Sequence, residues 1–138
     1  MLPPIAGEFG IVADPEIRFS DKGSAWVKMR CVAKDRVRDA NGAWSDGDPC
    51  FIDVIVNHGA ENLFESVVKG DSVLVIGALK QREYEVDGQK RTSYQIRADS
   101  VGVSTRWGTA KTPKSLEASG SVAAAKDALG GTEIDAPF

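Results

Sequence analysis

Residues 50–71 read CFIDVIVNHGAENLFESVVKGD, and the change of period inside this stretch decides the fold. From Cys50 to Val56, the apolar residues Ile52, Val54 and Val56 alternate with Phe51, Asp53 and Ile55. That period of two marks a strand. Asn57-His58-Gly59 breaks the run. From Ala60 to Val68 the pairs Leu63/Val67 and Phe64/Val68 stand four residues apart, the spacing of a short helix, and Gly70 is placed to end it.

Upstream, Ala25 to Lys34 alternates cleanly, with Val27, Met29 and Cys31 on one side and Trp26, Lys28 and Arg30 on the other. Downstream, Ser72 to Glu83 is a long apolar strand that turns basic at Lys80 and Arg82, and Thr92 to Val103 follows as the last strand. Asn41-Gly42 and Asp87-Gly88 are hairpin signals, because they supply the positive φ that tight turns need. With a short first strand around Glu8 to Val12, the order is strand, strand, strand, helix, strand, strand. This is the arrangement of an all-β OB-fold: a five-stranded Greek-key barrel with one short helix after its third strand. On pattern alone, the same order also suits an unrelated small antiparallel sheet with one helix.

The chain has 138 residues, 42% hydrophobic and 27% charged, enough for one domain with some spare chain. Its formal charge of −3 is unevenly placed. Residues 1–114 carry 16 basic and 16 acidic side chains, whereas residues 115–138 carry Lys126 against Glu117, Asp127, Glu133 and Asp135. Total charge excludes a strongly basic nucleic-acid binder but leaves room for a local basic stripe. The expected division is a domain over 1–114 and a flexible acidic tail over 115–138, since the tail is too rich in Ala, Gly and Ser to offset its chain entropy. Within that tail, Ser121 to Leu129 has some helical tendency. No apolar run approaches the roughly 20 residues of a membrane span, and the first residues lack the pattern of a secretory signal. Cys31 and Cys50 lie in apolar strand-like surroundings and read as core or half-buried residues. The expected compartment is the cytoplasm, with no membrane association.

Catalysis finds little support. The single histidine, His58, lies in a turn without a neighbouring nucleophile. There is no phosphate-binding Gly-rich loop, nucleophile elbow or metal-ligand spacing, so neither an enzyme nor a cofactor or metal is expected. Aromatic and basic residues instead interleave as single-strand binding requires: rings stack on bases of any sequence while Lys and Arg track phosphates. The candidate groups are Trp26/Lys28/Arg30 on one strand face, Lys34/Arg36/Arg38 leading into a loop with Trp44, and Lys80/Arg82/Tyr84 with Lys90/Arg91 across the second hairpin. Trp107, beside Arg106, suits closing the end of the barrel equally well.

Several stretches together resemble bacterial and phage single-stranded-DNA-binding proteins. They are Asp14-Pro15-Glu16-Ile17-Arg18-Phe19, Gly23-Ser24-Ala25, the loop entry Arg36-Val37-Arg38-Asp39, Ala60-Glu61-Asn62-Leu63, and Val68 to Lys80. The resemblance covers about residues 7–107 and resumes at Ile134-Asp135-Ala136-Pro137-Phe138, which is similar to that family's acidic tip ending in Pro-Phe.

The resemblance implies sequence-tolerant binding of single-stranded DNA in replication, recombination and repair. It also implies a homotetramer and a cytoplasmic setting, at the nucleoid or in the host cell if the chain is phage-encoded. Phe51 and Tyr84 fill two of the family's stacking positions, Val37 and Asn57 stand where two further aromatics are usual, and Asp53 stands where relatives often place a cation. The stacking platform is therefore expected to shift towards Trp26 and Trp44. Glu133, Asp135, Pro137 and Phe138 would form a hook that recruits replication, recombination or repair proteins. The competing reading is an OB-fold protein-interaction module with weakened DNA binding.

Overall fold

The computed structural model describes residues 1–118. Its elements are β1 (Pro4–Ile11), β2 (Glu16–Phe19), β3 (Ala25–Arg38), β4 (Trp44–Val56), α1 (Ala60–Ser66), β5 (Ser72–Val86), β6 (Gln89–Val103) and α2 (Pro113–Ala118). The alternation that defines β3 and β4 is obeyed: Val27, Met29, Cys31, Ile52, Val54 and Val56 are buried together. Of the two i, i+4 pairs near α1, Leu63 and Val67 join the core while Phe64 and Val68 stay exposed. The helix ends at Ser66, because Val67 already has extended backbone angles. Gly70, at φ 98°, turns the chain afterwards rather than capping the helix.

The sheet runs β1-β5-β6-β4-β3-β2, and a further β1–β3 pairing closes it into a barrel. This is the OB-fold. The six strand segments reduce to five barrel strands because β1 and β2 lie end to end along one edge of β3. The paired positions sum to 42 for Gly10↔Val32 and Ile11↔Cys31, then to 44 for Glu16↔Lys28 and Ile17↔Val27, so two extra residues are inserted around Asp14-Pro15. One pairing in the ring is parallel: β4 and β6 match from Asp53↔Gln95 to Val56↔Ala98. Helix α1 and strand β5 make the crossover that this requires.

Between β5 and β6 the register shifts at Ile76/Gly77, where Ile76 pairs with Ser100 but Gly77 with Ala98, leaving Asp99 as the extra residue. The strands approach so closely here that a Cβ on Gly77 would strike the Arg97 carbonyl oxygen and lie 2.8 Å from the Ala98 Cα.

The two hairpins use different turns. Asp87 (φ 52°) and Gly88 (φ 78°) form a two-residue turn between the paired Val86 and Gln89, as the sequence suggests. In the other hairpin only Gly42 has positive φ, and the loop spans residues 39–43 between the paired Arg38 and Trp44. Asp39 organises this loop, its carboxylate accepting hydrogen bonds from the backbone N–H groups of Asn41 (2.9 Å) and Ala43 (2.8 Å).

Both hairpins extend past the core as arms. Lys34, Arg36, Arg38 and Trp44 accordingly lie on paired strands rather than leading into a loop. The same extension exposes Cys50, contrary to the expectation of burial, because β4 has by then left the core. Cys31 is buried, and burial above all, with the charge of Asp53 adding, pushes its thiol up to about 11.

Residues Met1–Trp107 form one compact unit. Beyond it, α2 arises where the sequence suggested no element, and its start is capped locally. The Ser115 N–H donates to Thr112 Oγ1 (3.0 Å) while the Thr112 N–H donates to Ser115 Oγ (2.8 Å), with Pro113 in the first turn. Residues 119–138, including the Ser121–Leu129 segment and the Glu133, Asp135, Pro137 and Phe138 tip, lie outside the described residues. Among those described, no helix is long and apolar enough to cross a membrane.

Candidate nucleic-acid interface

Strand alternation places Trp26, Lys28, Arg30, Lys34, Arg36 and Arg38 of β3 on the side turned away from the core. Cross-strand register carries the same side onto β4 through Phe51 and Asp53, onto β6 through Ser93 and Gln95, and onto β5 through Lys80, Arg82 and Tyr84. A single groove brings together Arg18, Trp26, Lys28, Arg30, Asp53, Ile55, Arg82, Tyr84, Ser93 and Gln95. Five of the sequence-derived candidates, Trp26, Lys28, Arg30, Arg82 and Tyr84, thus share one concavity. Phe51 flanks it, half exposed, with the Arg30 guanidinium 5.7 Å from its ring centroid.

The β3–β4 arm keeps this side intact through a bulge. Lys34 pairs with Pro49, but Arg36 pairs with Asp46, so one extra residue is taken up on β4. Without it, Ser45 rather than Trp44 would oppose Arg38. The bulge therefore re-aims Trp44 and Asp46 towards the cationic side. The Arg38 guanidinium lies 5.8 Å from the Trp44 ring centroid, and 58% of Trp44 remains exposed for stacking.

On the β5–β6 arm, Arg91 pairs with Tyr84 and shares its side, whereas Lys90 pairs with Glu85 and so faces the other way. Lys80, opposite Gln95, sits at the base of the arm.

Arg18 is a contributor that the alternation alone did not disclose. It pairs with Trp26 across β2–β3 and holds its guanidinium 5.8 Å from the Trp26 ring centroid. Trp107 is placed elsewhere. Its indole N–H donates to the Glu8 carboxylate at 2.6 Å, which ties it to β1, and Arg106 covers its ring at 4.9 Å. His58 is exposed in the turn before α1. No group of three or more His, Cys, Asp or Glu side chains is placed to hold a metal among the described residues.

The cations fall into two sets. Asp53 pairs with Arg30 (3.2 Å) and Lys28 (3.9 Å), Asp46 pairs with Arg36 (3.0 Å) and Lys34 (3.7 Å), and Glu16 pairs with Arg18 (3.4 Å). Arg38, Lys80, Arg82, Lys90 and Arg91 form no ion pair among the described residues.

Comparison with known proteins agrees with this fold. The model of the "Single-strand binding protein family" matches residues 9–104. The chain is 39% identical over 113 residues to the single-stranded DNA-binding protein of Mycobacterium leprae, covering 80% of this chain and 67% of that protein. It is 43% identical over 107 residues to single-stranded DNA-binding protein 2 of Streptomyces coelicolor, covering 75% and 54% respectively. Among solved structures, the small single-stranded DNA-binding protein from Streptomyces coelicolor superimposes with a TM-score of 0.70 at 32% identity, over 78% of this chain and 98% of that one. A Plasmodium falciparum protein solved in complex with single-stranded DNA shares the fold, with a TM-score of 0.63 at 17% identity over 75% of this chain and 93% of that one.

Proposed function

Since the chain belongs to the single-strand binding protein family, we propose that it binds single-stranded DNA with little regard to sequence and shields exposed strands during replication, recombination and repair. The observation that carries this reading is the groove in which Trp26 and Tyr84 stand among Arg18, Lys28, Arg30 and Arg82. Rings there offer faces to bases of any identity, and the cations follow the phosphates. Phe51, Trp44, Lys34, Arg36, Arg38, Lys80 and Arg91 extend the path along both arms, and Lys90 serves a strand that wraps around the hairpin.

The test is a salt titration of oligo-dT binding, followed by tryptophan fluorescence, on protein whose mass in solution has been measured. Binding should weaken with salt, with log K falling by about 0.7 per phosphate contacted for every tenfold rise in salt concentration. A protein that leaves oligo-dT unbound at low salt would favour an OB-fold interaction module instead.

The mass measurement also tests assembly. The family resemblance suggests a homotetramer, and the outer side of β5 supports an association surface: Leu74 and Ile76 are 47% and 57% exposed there, beside Ala6 of β1.

Residues 1–114 would form the binding domain, and 115–138 a tail carrying the tip. Phe138, Pro137 and the carboxylates of Glu133 and Asp135 combine an insertable ring with negative charge, which suits a basic-rimmed apolar pocket on a partner enzyme. Deleting Pro137 and Phe138 should abolish capture of replication or repair proteins while oligo-dT affinity stays unchanged. Undiminished capture would rule the tip out.

A further inference from the structure

The phosphate path described above contains its own anions. Asp53 directly opposes Arg30 across β3–β4, and Asp46 directly opposes Arg36. Each carboxylate reaches a second cation, Lys28 for Asp53 and Lys34 for Asp46. Four of the cations on the outward side of β3 are therefore held by two carboxylates, while those on β5–β6 are free of such partners among the described residues. The placement of Asp46 depends on the β4 bulge, since an unbroken register would put Gly47 opposite Arg36.

We propose, building on the DNA-binding reading, that Asp46 and Asp53 are internal counter-ions of the β3–β4 face. They occupy the positions that backbone phosphates would take and must be displaced when a strand binds. The chemistry supports an exchange. A carboxylate presents oxygens to a guanidinium or ammonium much as a phosphate does. Both partners are also solvent-accessible, with cation side chains 44–61% exposed and the carboxylates of Asp53 and Asp46 28% and 53% exposed. Pairs this exposed are weak enough to be replaced. Two consequences follow. Affinity is lower than the number of cations suggests, and the salt dependence is shallower, because a cation that trades carboxylate for phosphate leaves an anion that recruits salt cations in turn.

The experiment compares oligo-dT binding by the unmodified protein, Asp46→Asn/Asp53→Asn and each single variant across a salt series. Exposed pairs contribute little to stability, so the variants should keep the thermal transition of the parent. The expected gain is about threefold in affinity per carboxylate and about tenfold for the double variant, from the scale of exposed ion pairs. The salt slope should steepen by about 0.7 for each cation released.

A control variant, Glu61→Gln/Glu65→Gln, makes the same change in net charge on α1 and should leave affinity within about twofold of the parent and the salt slope unchanged, as screening by salt predicts. Affinity and slope unchanged in the Asp variants, or an equal gain in the control, would overturn the counter-ion role while leaving DNA binding intact. Failure of the unmodified protein to bind oligo-dT would overturn the DNA-binding reading and this inference with it.

Discussion

Phe51→Ala/Tyr84→Ala is expected to weaken oligo-dT binding by at least about 30-fold, the lower end of two lost base stacks at about 1–3 kcal/mol each. The two rings stand on different parts of the same outward surface, Phe51 on β4 and Tyr84 on the β5–β6 arm. They are 50% and 45% exposed, and neither belongs to the buried core. Truncating them should therefore remove binding surface without unfolding the barrel, so the melting temperature should move little. No charge is removed, so the salt slope should also stay close to that of the parent. This combination, a large loss of affinity at constant slope, separates stacking from phosphate contact. An affinity within threefold of the parent would mean that bases do not stack on these rings and that Trp26 and Trp44 carry the platform without them.

Gly77→Ala should be among the most damaging single substitutions in the barrel, costing about 3 kcal/mol and roughly 10 °C in melting temperature. The added Cβ meets the backbone of Arg97 and Ala98, not a flexible side chain that can swing aside. Relief requires β5 and β6 to separate at the bulge, which strains the register that aligns Lys80, Arg82 and Tyr84 with Gln95, Ser93 and Arg91. Gly102→Ala on β6 provides the comparison: a Cβ there meets nothing within 4 Å, and the expected change is within about 0.5 kcal/mol. Thermal melts of the two variants decide the matter. Equal transitions would show that the close approach at Gly77 relaxes without cost.

The core was legible where the two sides of a strand differ in polarity. Residues 25–31 and 51–56 alternate between buried apolar side chains and an outward side that is largely polar or aromatic, so the period alone identified which side each residue takes. It failed along the arms, where residues 34–38 and 44–49 are almost wholly exposed on both sides and alternation has no meaning in burial. There the strands are held by backbone pairing and by Arg36–Asp46 and Arg38–Trp44 contacts, which composition does not reveal. The β4 bulge compounds this, because Trp44 and Phe51 are seven positions apart and strict alternation would assign them to opposite sides. Arg18 illustrates a different limit. Its place over Trp26 follows from the β2–β3 register, which no local pattern encodes. The pairing of Asp53 with both Lys28 and Arg30 was hidden for the same reason.

Barrel closure also sets a schedule for the chain as it is made. β1 finds its partner β5 only after residues 72–78 exist, and β4 gains its parallel neighbour only with residues 95–98. At about 5–20 residues per second, roughly 4–15 s separate the synthesis of Pro4 from that of its partner Ala78. Once Val56 has been made the β3–β4 hairpin can form locally, but until β5 and β6 follow its apolar side, Val27, Met29, Ile52 and Val54, has no lid. Nascent chains are therefore most prone to mispairing just after the first hairpin emerges, and the last strand to be made is the one that ends the risk.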